Sequence, residues 1–174
     1  MLVYFLVVLL LSGAFLAFHY SPGGGTVVYT GEYEPLRGVE MSGAYASILS
    51  LGFDVPGGLF VRRLHFNAIV LLALGTVVWA PLGRLRYAPA LLGLGLCLVG
   101  ALAGFGSADD LLSGTVLGRV PVVLWYGLHL VTALALGVTL VISARREAAR
   151  DPRTPGFVAL TLALSALLLL LPGG

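Results

Sequence analysis

Five long apolar runs govern what this chain can become, at roughly 1–19, 58–80, 88–106, 119–143 and 156–172. A helix needs about 20 apolar residues to cross a hydrocarbon core. In lipid, only helices and closed barrels satisfy every backbone polar group. The runs are rich in Leu, Ala and Val and lack the strict alternation of barrel strands, so they predict an all-α transmembrane helical bundle. Composition agrees. The chain is 59% hydrophobic and only 10% charged, more apolar surface than a soluble domain of 174 residues could hide. The last run, Phe157 to Leu171, is short enough to span or to lie partly in the interface. The first run lacks a basic leading segment, and its first charge is Glu32, so a retained helix is expected in preference to a cleaved signal.

The charges are sorted by loop. All ten basic residues are arginine. Arg84 and Arg86 follow the second run, and Arg145, Arg146, Arg150 and Arg153 are expected in the loop after the fourth. With five crossings those loops share one face, which the positive-inside rule makes cytoplasmic. Glu32, Glu34, Glu40, Asp54, Asp109 and Asp110 fall on the other face. The N-terminus is then cytoplasmic, in a bacterial plasma (inner) membrane. A net charge of +2 gives no footprint for nucleic acid. The lone Cys97, mid-run, is expected to serve packing.

Two segments lie outside the apolar runs. Residues 21–57 open on a flexible Ser-Pro-Gly-Gly-Gly turn. Within them, residues 38–52 predict a short amphipathic helix on the outer surface. The second segment, Gly104 to Gly118, predicts a solvated loop or small surface element.

Against this apolar background two histidines stand out, His65 and His129. Ionisable groups inside membrane segments are rare and mark functional sites. His65 lies nine residues after Pro56 and His129 eight after Pro121. At ~1.5 Å per residue both sit about 12–14 Å into their helices. One crossing separates those helices, so they run parallel and hold the histidines at matched depth. Two readings stand at this point. Imidazole is a good axial ligand for haem iron, Arg62 and Arg63 are placed to pair with propionates, and Gly13, Gly93, Gly95, Gly100 and Gly104 would let a macrocycle approach backbone. Alternatively, each histidine hydrogen-bonds a neighbouring helix, and the glycines serve helix packing.

The residues then resemble a family. SGAFLAFHYSP (12–22) is similar to the end of the first helix of cytochrome b of the bc1 and b6f complexes. GAYASILSLGFDVPGGLFVRRLH (43–65) resembles the family's surface helix and the start of its first ligand helix. Gly58, Arg62 and His65 fall on that pattern's glycine, arginine and histidine. LWYGLHLVTALALGVTLV (124–141) resembles the helix carrying the partner histidine, matched by His129. Gly13 matches the family glycine near the outer haem, and His19 matches a histidine that is no ligand.

The resemblance implies a cytochrome b-like four-helix core over 1–145 and a cytoplasmic loop with a C-terminal helix over 146–174. It implies one b haem in the outer half of the bilayer, with His65 and His129 as axial ligands. Arg62, assisted by Arg63, would anchor a propionate, and Gly13 and Gly58 would join the haem site. It also implies departures. The family's second pair of histidines lies about 14 residues beyond the first, where this chain has Trp79 and Ser143, so a second haem is not expected. The family's PEWY motif is missing. The implied role is an electron-transfer subunit, not an enzyme by itself, between quinol and a cytochrome c or Rieske partner in a respiratory complex. The rival is a haem-free scaffold or anchor subunit. A transporter would want paired broken helices, which are not evident.

Overall fold

The structure is a computed structural model that describes residues 2–23, 25–82, 87–108, 112, 114–150 and 154–170. Among the described residues six α-helices form: α1 (Leu2–His19), α2 (Gly43–Phe53), α3 (Gly58–Trp79), α4 (Tyr87–Ala108), α5 (Val122–Arg150) and α6 (Pro155–Leu170). Among the described residues, four helices are long and apolar enough to cross a membrane: α1, α3, α4 and α5. The chain is a multi-pass helical membrane bundle, as the apolar runs require. The last run forms α6, which falls short of those four in length and rests against α3 and α1.

Contacts fix the arrangement. Helix α1 packs on α3, α3 on α4 and α4 on α5, and α5 closes back on α1. The four spans therefore form a square in which α3 and α5 face each other across a diagonal. One end of the bundle interior is filled by Phe5, Leu6, Leu9, Ala68, Leu72, Cys97, Leu136 and Leu140, all buried. Cys97 is thus a packing residue. The outside carries Leu, Val and Phe side chains at high exposure, as a lipid-facing surface should. The buried hydroxyls of Ser12 and Thr76 are satisfied within their own helices, by Val8 O at 2.7 Å and Ala73 O at 2.7 Å, whereas that of Ser165 on α6 has no hydrogen-bond partner among the described residues.

Three expectations are corrected. The surface helix begins at Gly43, not 38, because Ser42 caps it by accepting from Tyr45 N at 3.1 Å. The residues before it form a strand, β2 (Glu40–Ser42), paired antiparallel with β1 (Thr26–Val28). The second correction concerns Arg145, Arg146 and Arg150. They lie on the last turns of α5, not in a loop. Ser-Ala-Arg-Arg-Glu-Ala-Ala-Arg is a run of mostly good helix formers, and arginine suits the negative end of the helix dipole. Arg84, Arg86, Arg153, Asp109 and Asp110 lie outside the described residues. Helix α4 also takes in Gly104 to Ala108, the start of the expected outer loop.

The extramembrane segment is stapled to the end of α2, just ahead of α3. Tyr33 stacks on Phe53 with ring centres 4.6 Å apart, and Asp54 Oδ1 accepts from Glu32 N at 2.9 Å. Gly57 takes φ +77°, and Gly58 then lies so close to α2 that a Cβ would sit 1.8 Å from Leu51 O. A main-chain oxygen cannot swing aside. Gly58→Ala is expected to destabilise the bundle by ~1–3 kcal/mol. Gly95→Ala, with nothing within 4 Å of the added carbon, should be neutral or slightly stabilising. Thermal unfolding of both variants in detergent, followed by circular dichroism, checks the pair.

Candidate functional site

His65 is seven residues past the first residue of α3, and His129 seven past the first residue of α5. Both helices enter from the same end of the bundle, so equal counts give equal depth of ~10 Å. Across the diagonal the two imidazoles meet, with ring centres 6.1 Å apart and planes at 56°. The sequence expectation of a matched pair is realised in geometry.

Each ring is held by the neighbouring helix in the same way. His65 Nδ1 lies 3.1 Å from Leu9 O and 3.0 Å from Ser12 Oγ, both on α1. His129 Nδ1 lies 2.8 Å from Gly100 O on α4. A carbonyl oxygen only accepts, so Nδ1 carries the proton in both rings and Nε2 is left with its lone pair. Four residues beyond each acceptor carbonyl stands a glycine. A Cβ on Gly13 would lie 3.0 Å from His65 Cε1, and one on Gly104 would lie 3.2 Å from His129 Cε1. The two halves of the site therefore share one local plan: a carbonyl, then one turn later a glycine over which the imidazole lies. Gly100 serves twice, since a Cβ there would lie only 3.1 Å from Thr132 Oγ1. Gly100 and Gly104 together make the small-residue seam through which α4 and α5 approach.

The other expected residues are distributed as follows. Arg62 and Arg63 are exposed on the first turns of α3. Arg62 is one turn from His65 and shares its face of the helix, whereas Arg63 does not. Gly58 stands against Leu51 and away from the imidazoles, so it positions α3 relative to α2. His19 ends α1, donates locally from Nδ1 to Phe15 O (3.0 Å) and stays apart from the pair. A Cβ on Gly93 would lie 3.3 Å from the Thr76 methyl, and one on Gly95 would meet nothing within 4 Å. Ser12, the Leu9 and Gly100 carbonyls and Thr132 were not singled out by the sequence. Leu9 and Gly100 act only through the main chain, which every residue has, and Ser12 resembles any small packing residue. Among the described residues no group of three or more His, Cys, Asp or Glu assembles elsewhere.

This arrangement defines a class: a helical membrane bundle with two opposed, backbone-anchored imidazoles at one depth. Relatives place it more narrowly. The chain is 32% identical to the cytochrome b subunit of the cytochrome bc1 complex of Mycobacterium leprae over 180 residues, covering 98% of this chain and 31% of the relative. It is 33% identical to the corresponding subunit of Mycobacterium tuberculosis strain H37Rv, with 98% and 31% covered. For that of Corynebacterium efficiens the identity is 33%, with 79% and 25% covered. No family model matches. The chain belongs to the cytochrome b family and spans about a third of the length of the curated relatives it matches.

The hydrogen-bond pattern makes a direct prediction. In cofactor-free protein labelled with 15N-histidine, solid-state or detergent NMR should show Nδ1 protonated and Nε2 unprotonated for His65 and His129. The opposite tautomer at either residue would contradict the anchoring carbonyls.

Proposed function

We propose that this chain is an electron-transfer subunit of a respiratory membrane complex, binding one b haem between His65 and His129. The single observation that carries the reading is the imidazole pair. Metal–imidazole bonds run ~2 Å, so two rings sharing one metal stand about 6 Å apart between centres. The observed 6.1 Å fits that requirement. The donor chemistry fits too: both Nδ1 atoms are turned to flanking carbonyls, the outer-shell partners that orient metal-bound histidines. The likeness to cytochrome b subunits supports the same assignment.

A haem held by two imidazoles supplies one-electron transfer and offers no open position for substrate. The chain's own residues do the rest. Leu9 O, Ser12 and Gly100 O hold the ligand tautomer. Gly13 and Gly104 give the rings room against α1 and α4. Arg62, aided by Arg63, is positioned at the entry of α3 to pair with the carboxylates of the group, and Gly58 keeps that entry in register with α2. The positive-inside rule assigns the Arg145–Arg150 end of α5 to the cytoplasm. The N-terminus is then cytoplasmic and the haem lies in the outer half of the plasma membrane, facing a quinol, cytochrome c or Rieske partner.

One haem is proposed, not two, because Leu72, Leu136 and Leu140 fill the interior between the pair and Trp79. An optical spectrum of the purified chain tests the reading. A reduced-minus-oxidised b-type band at about one haem per chain is expected. His65→Ala or His129→Ala should remove it, and His19→Ala should leave it intact. Arg62→Gln should weaken haem retention roughly tenfold or more. A haem-reconstituted preparation with no such band would point instead to a haem-free scaffold. Two haems per chain would overturn the single-site assignment.

A further inference from the structure

At the far end of the bundle from the imidazole pair, the start of α4 and the second half of α5 leave a groove between them. It encloses about 390 Å³ and is lined by Pro89 and Leu92 of α4 and by Val138, Thr139, Ser143 and Arg146 of α5, among others. None of its described lining residues is acidic. Thr139, Ser143 and Arg146 follow one another at spacings of four and three, so they form a single stripe along α5 that ends in the charge. Arg150 continues that stripe by a further four residues. Leu92 and Val138 flank it and are strongly exposed, as is Ile142. The groove thus grades from apolar walls to hydroxyls to guanidinium over the last turns of a membrane-spanning helix.

We propose that this groove binds an anionic phospholipid, with its phosphodiester at Arg146 and Ser143 and an acyl chain along Leu92 and Val138. The charge gradient selects the occupant. A zwitterionic lipid offers the same phosphodiester but brings a cationic headgroup beside Arg146 and Arg150, which an anionic lipid does not, and a free phosphate would make no use of the apolar walls. Basic pockets between membrane helices hold anionic headgroups in this way, and the aliphatic stem of arginine can lie along apolar surface while its charge reaches the interface. The site is separate from the imidazole pair and does not depend on haem.

The test is native mass spectrometry of the full chain, delipidated in detergent and then offered phosphatidylglycerol, phosphatidylcholine or inorganic phosphate. Phosphatidylglycerol should be retained in clear preference to phosphatidylcholine. Arg146→Gln should cut that preference about fivefold. Arg145→Gln makes the same charge change one residue away, off the groove lining, and should leave it nearly unchanged. Leu92→Trp, which crowds the apolar wall without altering charge, should also reduce retention. Equal loss in the Arg145 and Arg146 variants would reduce the effect to general surface charge and overturn the proposal. Equal retention of both lipids, or displacement of lipid by inorganic phosphate, would overturn it too. So would a dimer whose formation abolishes lipid retention in the same spectra, because the groove would then be covered by a second copy. Helix content by circular dichroism confirms that each variant has folded.

Discussion

A neutral imidazole placed among lipid-facing helices must find a partner for its N–H, or its burial costs on the order of kilocalories. That requirement orders this bundle. His65 and His129 sit on α3 and α5, and each ring turns its Nδ1 to the adjoining helix. The acceptors come from α1 and α4, whose Leu9 and Gly100 carbonyls take a second hydrogen bond from Nδ1. For the ring to reach so close to a helix surface, the residue one turn on must be small. Gly13 and Gly104 meet that condition. The pairing of α1 with α3 and of α4 with α5 follows from it, and so does the diagonal placement of the two histidines.

The two ends of the bundle solve packing differently. Around the imidazoles the helices approach over glycine and hydroxyl side chains. Towards Trp79 the same helices carry Phe5, Leu6, Leu72, Leu136 and Leu140, all buried in one apolar cluster. Hydrophobicity does not drive helices together in lipid, so this end is held by close packing alone. A protein with one polar centre and one apolar plug is chemically asymmetric across the membrane.

Much of this was legible in the sequence, for reasons that can be named. The four spans were legible because apolar runs of that length have no alternative in lipid. The histidine pair was legible because Pro56 and Pro121 mark helix starts and residue counting then gives depth. Gly13 and Gly104 were legible as close-approach positions, although the groups that approach in this structure are the imidazoles themselves. The hairpin was not legible: strands of three residues are too short to show alternation. Nor was the extension of α5, because hydropathy assigns Arg145 to Arg150 to a loop while helix propensity carries the backbone straight through them. The anchoring carbonyls leave no trace in side-chain identity at all.

What closes the site from the extramembrane side completes the same logic. Tyr126 stands one turn before His129 and packs on Tyr20 with ring centres 5.0 Å apart. The Tyr20 hydroxyl donates to Ser107 O, which ties the end of α1 to the end of α4. Beside them Trp125 lies over Gly106, where a Cβ would come within 2.5 Å of the indole. These contacts tie the ends of α1 and α4 to the first turns of α5, beside His129. They hold in register the helices whose Leu9 and Gly100 carbonyls anchor the imidazoles.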